Sequence, residues 1–263
     1  MTDASRLGAS VADDYESLAR DYDWLLTDDL REGAAVFETF GRVIERLGEG
    51  ARVLDCACGT GWNAIALRRA GFETVATDAS PAMIGRAREN AAAAGVDIDF
   101  GIVRWHDLAR RLRGRFDAIA CVGNSIVHAG DGNELVAALG AMRELLEDHG
   151  HLLLDSRDWE TGWGPGRRVE APPRFHERDG MRCLPIRVWE TPADFADTHH
   201  VDFVFVFEEE APIPVTVRSH RLAFRPFRID EIEEALTSAG LTPVDVTRRR
   251  GFVAIVAGHA RRR

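Results

Sequence analysis

The sequence predicts an α/β fold built on a doubly wound sheet with an antiparallel β insertion, and three stretches carry that expectation. At 51–61 the run Ala-Arg-Val-Leu-Asp-Cys-Ala-Cys-Gly-Thr-Gly takes an apolar strand, residues 52–56, through a glycine-rich turn into a helix expected over 62–69. Residues 73–77 read as a second strand that ends in Asp78, about 20 residues past the turn, where an open α/β sheet places a carboxylate on a ribose diol. Further on the period changes. Val201, Phe203, Phe205 and Phe207 alternate with Asp202, Val204 and Val206, giving a strand with one strongly apolar face that needs a partner.

The remaining elements follow in order. Residues 1–12 read as a frayed terminus, and 13–26 space Tyr15, Leu18, Tyr22 and Leu25 at helical intervals, so that the two tyrosines either pack or cover a pocket. An amphipathic helix is expected over 36–47, ended by Gly48 and Gly50. After Asp78, Ser80 can cap a helix that starts at Pro81 and runs to about Ala94. Strand three is expected over 98–103, strand four over 116–122, a helix over 133–146 and strand five over 150–156. Gly162, Gly164, Pro165, Gly166, Pro172 and Pro173 make a turn-rich entry to long strands at 182–189, 201–208 and 215–224. Glu208, Glu209 and Glu210 read as a solvated turn, 229–239 as a helix, 241–247 and 252–257 as a terminal hairpin, and Arg261–Arg263 as a disordered basic tail. No internal repeat appears.

Composition narrows the class. The chain has 263 residues, enough for a sizeable core, and a net charge of −10 that disfavours a phosphate backbone as partner, so no nucleic-acid substrate is expected. Its cysteines at 56, 58, 121 and 183 read as buried, reduced thiols, and no Cys/His set has zinc-site spacing, so no metal is expected. The N-terminus lacks an apolar leader and no run approaches a membrane span, which predicts a cytoplasmic protein without a membrane partner. A homo-oligomer is compatible with all of this.

The turn at 55–61 is read as a binding surface because Gly59 and Gly61 allow backbone angles that a Cβ would forbid and let a ligand approach the main chain. Its G-x-G-x-x-A spacing departs from the dinucleotide fingerprint. Asp55, at the strand end, would repel a pyrophosphate and attract a ligand carrying an ammonium group. A doubly wound domain binding some other nucleotide, or none, is the bland alternative.

Asp55, Gly59 and Gly61 fit D-x-x-x-G-x-G, and with Asp78 they resemble the class I S-adenosylmethionine-dependent methyltransferases. The resemblance implies a seven-stranded Rossmann-like methyltransferase sheet and S-adenosyl-L-methionine as cofactor. It implies that the glycine turn, with Ala57, packs against the methionine part while Asp78 and Ala79 meet the ribose. Trp105 and Asp107, after strand three, are then candidates for the adenine, with His106 a bystander. Met83 would be either an adenine contact or a core methionine. Tyr22, Val122 and Gly123 complete the expected cofactor pocket.

Three stretches together are similar to the glycine and glycine/sarcosine N-methyltransferase group: 53–61, Phe-Asp-Ala-Ile-Ala-Cys-Val-Gly-Asn-Ser-Ile-Val-His at 116–128, and Asp-Ser-Arg-Asp-Trp at 155–159. This resemblance implies that Asn124 lies beside the transferred methyl and the substrate amine, that Arg157 grips the substrate carboxylate, and that Arg31 in an N-terminal lid meets the cofactor carboxylate. Alternatives from the residues themselves are a structural ion pair of Arg157 with Asp155 or Asp158, and a helix cap for Asn124. That group surrounds its substrate with several tyrosines, whereas this chain has only Tyr15 and Tyr22, and the insertion supplies Phe and Trp, which puts glycine in question. Trp159, Trp163 and Trp189 could hold a cation on their faces or pack in the core. The expected organisation is an N-terminal helical lid at 1–50, a cofactor-binding core at 51–158, an antiparallel insertion over the substrate at 159–224, and a C-terminal helix and hairpin at 225–263. The expected reaction is N-methylation of an amino acid or related amino-carboxylate by in-line displacement. O- or C-methylation of a secondary metabolite, or cofactor binding without turnover, are the alternatives.

Overall fold

The computed structural model of the chain describes residues 15–32, 34–161, 164–208, 215–249 and 251–260. Strands β1 Arg52–Asp55, β2 Glu73–Asp78, β3 Asp99–Ile102, β4 Phe116–Cys121 and β5 Leu146–Arg157 pair in parallel. Strands β11 Leu241–Arg249 and β12 Phe252–His259 form a hairpin whose second strand pairs antiparallel with β5. The resulting seven-stranded sheet has the order β11-β12-β5-β4-β1-β2-β3. Strands β1 and β4 are neighbours although the chain runs outward from each in opposite directions, so a ligand crevice opens at their carboxyl ends.

Helical segments are α1 (residues 15–22), α2 Asp28–Arg31, α3 Ala34–Ile44, α4 Trp62–Arg69, α5 Pro81–Ala93, α6 Leu108–Arg111, α7 Gly132–Glu144 and α8 Ile229–Ser238. The period of two along a strand sends neighbours to opposite layers. Val53 faces Val36, Phe40 and Ile44 of α3, while Leu54 faces the layer built from Leu135, Leu139 and Met142 of α7 and Ile232 and Leu236 of α8. Both faces of the sheet are therefore covered, which is why its strands read as apolar runs.

A second sheet orders β10 Val215–Phe224, β9 His199–Glu208, β8 Met181–Thr191 and β6 Gly166–Glu170, with β7 His176–Arg178 also paired to β8. Along β9 every second residue is buried, and Val201, Phe203, Phe205 and Phe207 pack against Leu18, Trp24 and Leu25 of the N-terminal segment. That segment is the partner the apolar face required. It lies between the two sheets.

The boundaries differ from the sequence reading in informative ways. The first helix ends at residue 22, and a 3-10 turn over Asp23–Leu25 follows it. Strand β5 begins at Leu146 because Phe116 pairs there before the ladder shifts register to join Ala118 with His151. The turn-rich entry contains β6 and β7. The described cysteines are all buried and unpaired. Among the described residues no helix is long and apolar enough to cross a membrane, and no His, Cys, Asp and Glu cluster could hold a metal ion. The frayed terminus, the expected helix start at Asp13, Trp163, Glu209, Glu210 and Arg261–Arg263 lie outside the described residues.

Candidate active site

At the β1 turn, Gly59 and Gly61 both take left-handed backbone angles, with φ of 53° and 88°. Their reasons differ. A Cβ on Gly61 would lie 3.0 Å from the Ala87 Cβ, so this glycine lets α5 pack against the turn. A Cβ on Gly59 would meet only Tyr22, at 3.9 Å, and would project into the cavity that Gly59 lines. The Asp78 carboxylate fixes the turn: Oδ2 accepts from the Gly59 N–H and Oδ1 from the Ser80 N–H, each at 2.9 Å. Burial raises its pKa, and the Ser80, Gly59 and Ala79 amides pull it back.

The second loop, after β4, is held just as firmly. The Asp155 carboxylate accepts from the Asn124 N–H at 2.7 Å, and the Asn124 side-chain carbonyl accepts from the Arg157 N–H at 2.8 Å and the Ser156 hydroxyl at 3.3 Å. Asn124 sits at φ 63° and caps nothing, so the helix-cap alternative is overturned: its amide zips the loop to the end of β5. Asp155 is not an ion-pair partner of Arg157 either. Burial raises Asp155 while the Asn124 and Gly123 amides hold it down.

These two loops form one wall of a cavity of about 970 Å³, whose opposite wall is the inner face of the antiparallel sheet. Tyr15 and His128 line it with the phenol oxygen 2.9 Å from Nε2, and burial lowers the imidazole to about 4, so the ring is neutral at pH 7. Tyr22 stands over the glycine turn with its phenol raised to about 12 by burial, the Asp78 charge adding to the effect. The segment around Tyr22 is held from both sides. Asp23 accepts from the Thr60 hydroxyl at 2.6 Å, the Trp62 indole at 3.0 Å, Arg86 at 3.1 Å and Asn90 at 3.2 Å. From the other sheet, Arg178 donates to the Asp23 and Leu26 carbonyls and Arg187 to the Leu25 carbonyl, while Arg218 grips Asp21 with both ends of its fork.

Residues 53–150 match the family described as Methyltransferase domain. This stretch is a methyltransferase domain. The wider chain is 37% identical over 109 residues to a glycine/sarcosine N-methyltransferase of Halorhodospira halochloris, the match covering 41% of each chain. It is 33% identical over 107 residues to a ubiquinone biosynthesis O-methyltransferase of Xanthomonas axonopodis, covering 41% of this chain and 43% of that one. The chain thus spans about two fifths of the length of the curated relatives it matches. In fold, it is similar to Streptomyces venezuelae DesVI, with TM-score 0.74, 23% identity and coverage of 96% and 98% of the two chains. Another similar structure is the S-adenosylmethionine-bound CalS10 of Micromonospora echinaspora, an amino pentose methyltransferase, with TM-score 0.67, 21% identity and coverage of 87% and 90%. The fold is that of the S-adenosylmethionine-dependent methyltransferases.

The methyltransferase domain fits such a cofactor at its two loops. Gly59 and Gly123 leave space that a Cβ would fill, the nearest atom to a Cβ on Gly123 being the Ser125 hydroxyl at 4.0 Å. Of the residues singled out in the sequence, Tyr22, Ala57, Gly59, Val122, Gly123, Asn124 and Arg157 line the one cavity. Asp78 and Ala79 lie half-buried beside it. Asp55 is sealed rather than displayed. It is 0% exposed, neither oxygen makes a hydrogen bond of normal geometry, and burial lifts the carboxyl to about 7 against the pull of the Ala57 amide. Met83 is 1% exposed and belongs to the core. The Trp105 indole donates to the Cys56 carbonyl at 2.9 Å, and Asp107 pairs with Arg110 at 2.6 Å, so both are occupied outside the cavity. His106 lies exposed. Arg31 stacks 4.9 Å from the Trp62 ring. Sequence reasoning passed over Arg187, and the signal was there: counting by twos from Cys183 puts Arg187 on the same inward face as Trp189.

Proposed function

We propose that this protein methylates the amine of a small amino-carboxylate, with S-adenosylmethionine as the methyl donor. The observation that carries the reading is Arg157. Its guanidinium lines the cavity among three rings, 4.8 Å from Trp189, 5.4 Å from Phe252 and 6.0 Å from Trp159, and no hydrogen bond or ion pair joins it to another described side chain. Burial lowers its pKa, Glu170 opposing this and Arg187 and Arg168 adding to it. A desolvated cation without a partner is costly, and an incoming carboxylate offers two parallel acceptors to its planar fork. Arg157 is joined through its main chain to Asn124, so an anion held there stands beside the loop that faces the glycine turn.

When bound, S-adenosylmethionine supplies a methyl already activated on a sulfonium, so no covalent enzyme intermediate is needed. The chain's residues then have to hold a nucleophile in line and exclude water. The neutral His128 ring supports an amine over a hydroxyl. An imidazole lowered to about 4 holds a proton too weakly to ionise an alcohol, whereas an amine that has lost its ammonium proton to solvent attacks with its own lone pair. The net charge of −10 favours a small acceptor over a nucleic acid.

Purified protein, cofactor and a panel of amino acids, followed by mass spectrometry, tests the reading. Gain of one methyl by an amino acid, and little or none by its methyl ester, is expected. Cofactor binding with no transfer to any amine would leave a binding protein without turnover, and a hydroxyl acceptor would replace N- by O-methylation.

A further inference from the structure

We infer that the acceptor is an amino acid anion with a bulky apolar or aromatic side chain, neither glycine nor a hydroxylated amine such as an amino sugar; this rests on the amine-methylation reading above. Pairing across the antiparallel sheet sets out two rows on its inner face. Trp189 lies opposite Val201, which lies opposite Leu222, and Arg187 lies opposite Phe203. Neighbouring strands are about 4.8 Å apart, so the row from Trp189 to Leu222 spans about 10 Å, the reach of an aromatic amino acid from carboxylate to ring edge.

The row is chemically polarised. Both cations sit at its β8 end, Arg157 over Trp189 at 4.8 Å and Arg187 one row along, and from there Val201, Phe203, Leu222 and Phe224 extend an apolar surface. A carboxylate held at the cationic end directs the rest of the molecule onto that surface. None of those four residues has a hydroxyl, amide or carboxylate. A sugar laid there would find the indole N–H groups of Trp159 and Trp189 as unpartnered donors, too few for its several hydroxyls, and such a wall rejects the rest. Glycine fails for the opposite reason. It would satisfy the cations and leave the space beside the apolar row unfilled once the cofactor occupies the glycine-turn end of the same cavity.

The test is a competition of acceptors at equal concentration, using glycine, sarcosine, leucine, phenylalanine, phenylalanine amide and a nucleotide-linked amino sugar with the purified protein and S-adenosylmethionine. Leucine or phenylalanine should exceed glycine in kcat/KM by about 100-fold, as expected when several methylenes find an apolar site, and the amide should be poor. Leu222→Trp shortens the row, so the ratio of phenylalanine to glycine should fall by about 10-fold, with unchanged affinity for S-adenosylhomocysteine showing that the variant is folded. If the variant does not fold, the wild-type ranking still decides. Preference for glycine, sarcosine or the amino sugar overturns the inference and leaves amine methylation standing. Binding of S-adenosylhomocysteine with no methyl transferred to any of the six overturns both.

Discussion

The two sheets that face each other across the cavity present different parts of the chain. The parallel sheet presents chiefly backbone, with Arg157 at the end of β5 an exception: Gly59 and Gly123 bring the main chain to the cavity, and the Asp78 and Asp155 carboxylates are spent on holding the two loops in shape. The antiparallel sheet presents side chains, Arg187 and the rings of Trp189, Phe203 and Phe224 among them, that nothing in the loops demands. Backbone recognition constrains residue type through sterics, so it leaves a motif. Side-chain recognition constrains only chemistry and size, so the same wall can be lettered many ways. The half of the site built on glycine turns is thus the one a motif can mark, and the other half is built on a surface of alternating residues.

The contrast can be broken most severely at Gly59. Gly59→Val puts a β-branched residue at φ 53° and fills the cavity beside Tyr22, so calorimetry should show cofactor binding abolished while the fold, read by circular dichroism, persists. Asp55 gives the next largest effect, on stability rather than binding. Its folded carboxyl is raised to about 7, so the folded state holds a proton that the unfolded chain releases as pH rises above about 4, and stability is lost through pH 7. Asp55→Asn escapes that loss. Its stability should exceed the wild type's by more at pH 8 than at pH 5, by a margin of the order of 2.5 kcal/mol, read from denaturant melts at the two pH values. An equal difference at both pH values would show that Asp55 ionises freely in the fold.

Asp78→Ala removes charge-assisted bonds to the turn, and S-adenosylmethionine affinity should fall by about 1.5–3 kcal/mol with a lower melting temperature, because the Gly59 amide loses its acceptor. Unchanged affinity in a folded variant would detach Asp78 from cofactor recognition. The smallest effect tests the exception, a side chain that the parallel sheet sends into the cavity from the end of β5. Arg157→Lys keeps the charge but loses the fork, so the acceptor's KM should rise about tenfold, near 1.4 kcal/mol, while cofactor affinity holds. A matching loss of cofactor affinity would mean that the acceptor and cofactor parts of the cavity are not separable.

How legible the molecule is in its sequence follows the same division. The helix over Trp62–Arg69 and strand β10 are legible to the residue, and β2 nearly so, since glycines, a proline and apolar runs mark their ends. Strands β6 and β7 escaped notice because their residues are mostly exposed and charged, leaving no period to detect in a stretch crowded with glycine and proline. Within the site, Gly59 and Asn124 announced themselves by motif. Arg187 did not, because an arginine on a strand reads as solvent-facing until its face is counted. Asp23 was hidden for another reason: its four side-chain partners come from two stretches far along the chain, and no local pattern foretells that convergence.

Arg157 resting against Trp189 and Trp159 also gives the protein an optical reporter of its own. A positive charge beside an indole shifts the energy of its excited state. An anion that draws the guanidinium off the rings changes that field, so the emission of these two tryptophans should move when the carboxylate end of the cavity fills and stay put when only the glycine turn is occupied. Titrating the unlabelled protein and watching its intrinsic fluorescence would then distinguish the two halves of the site by colour.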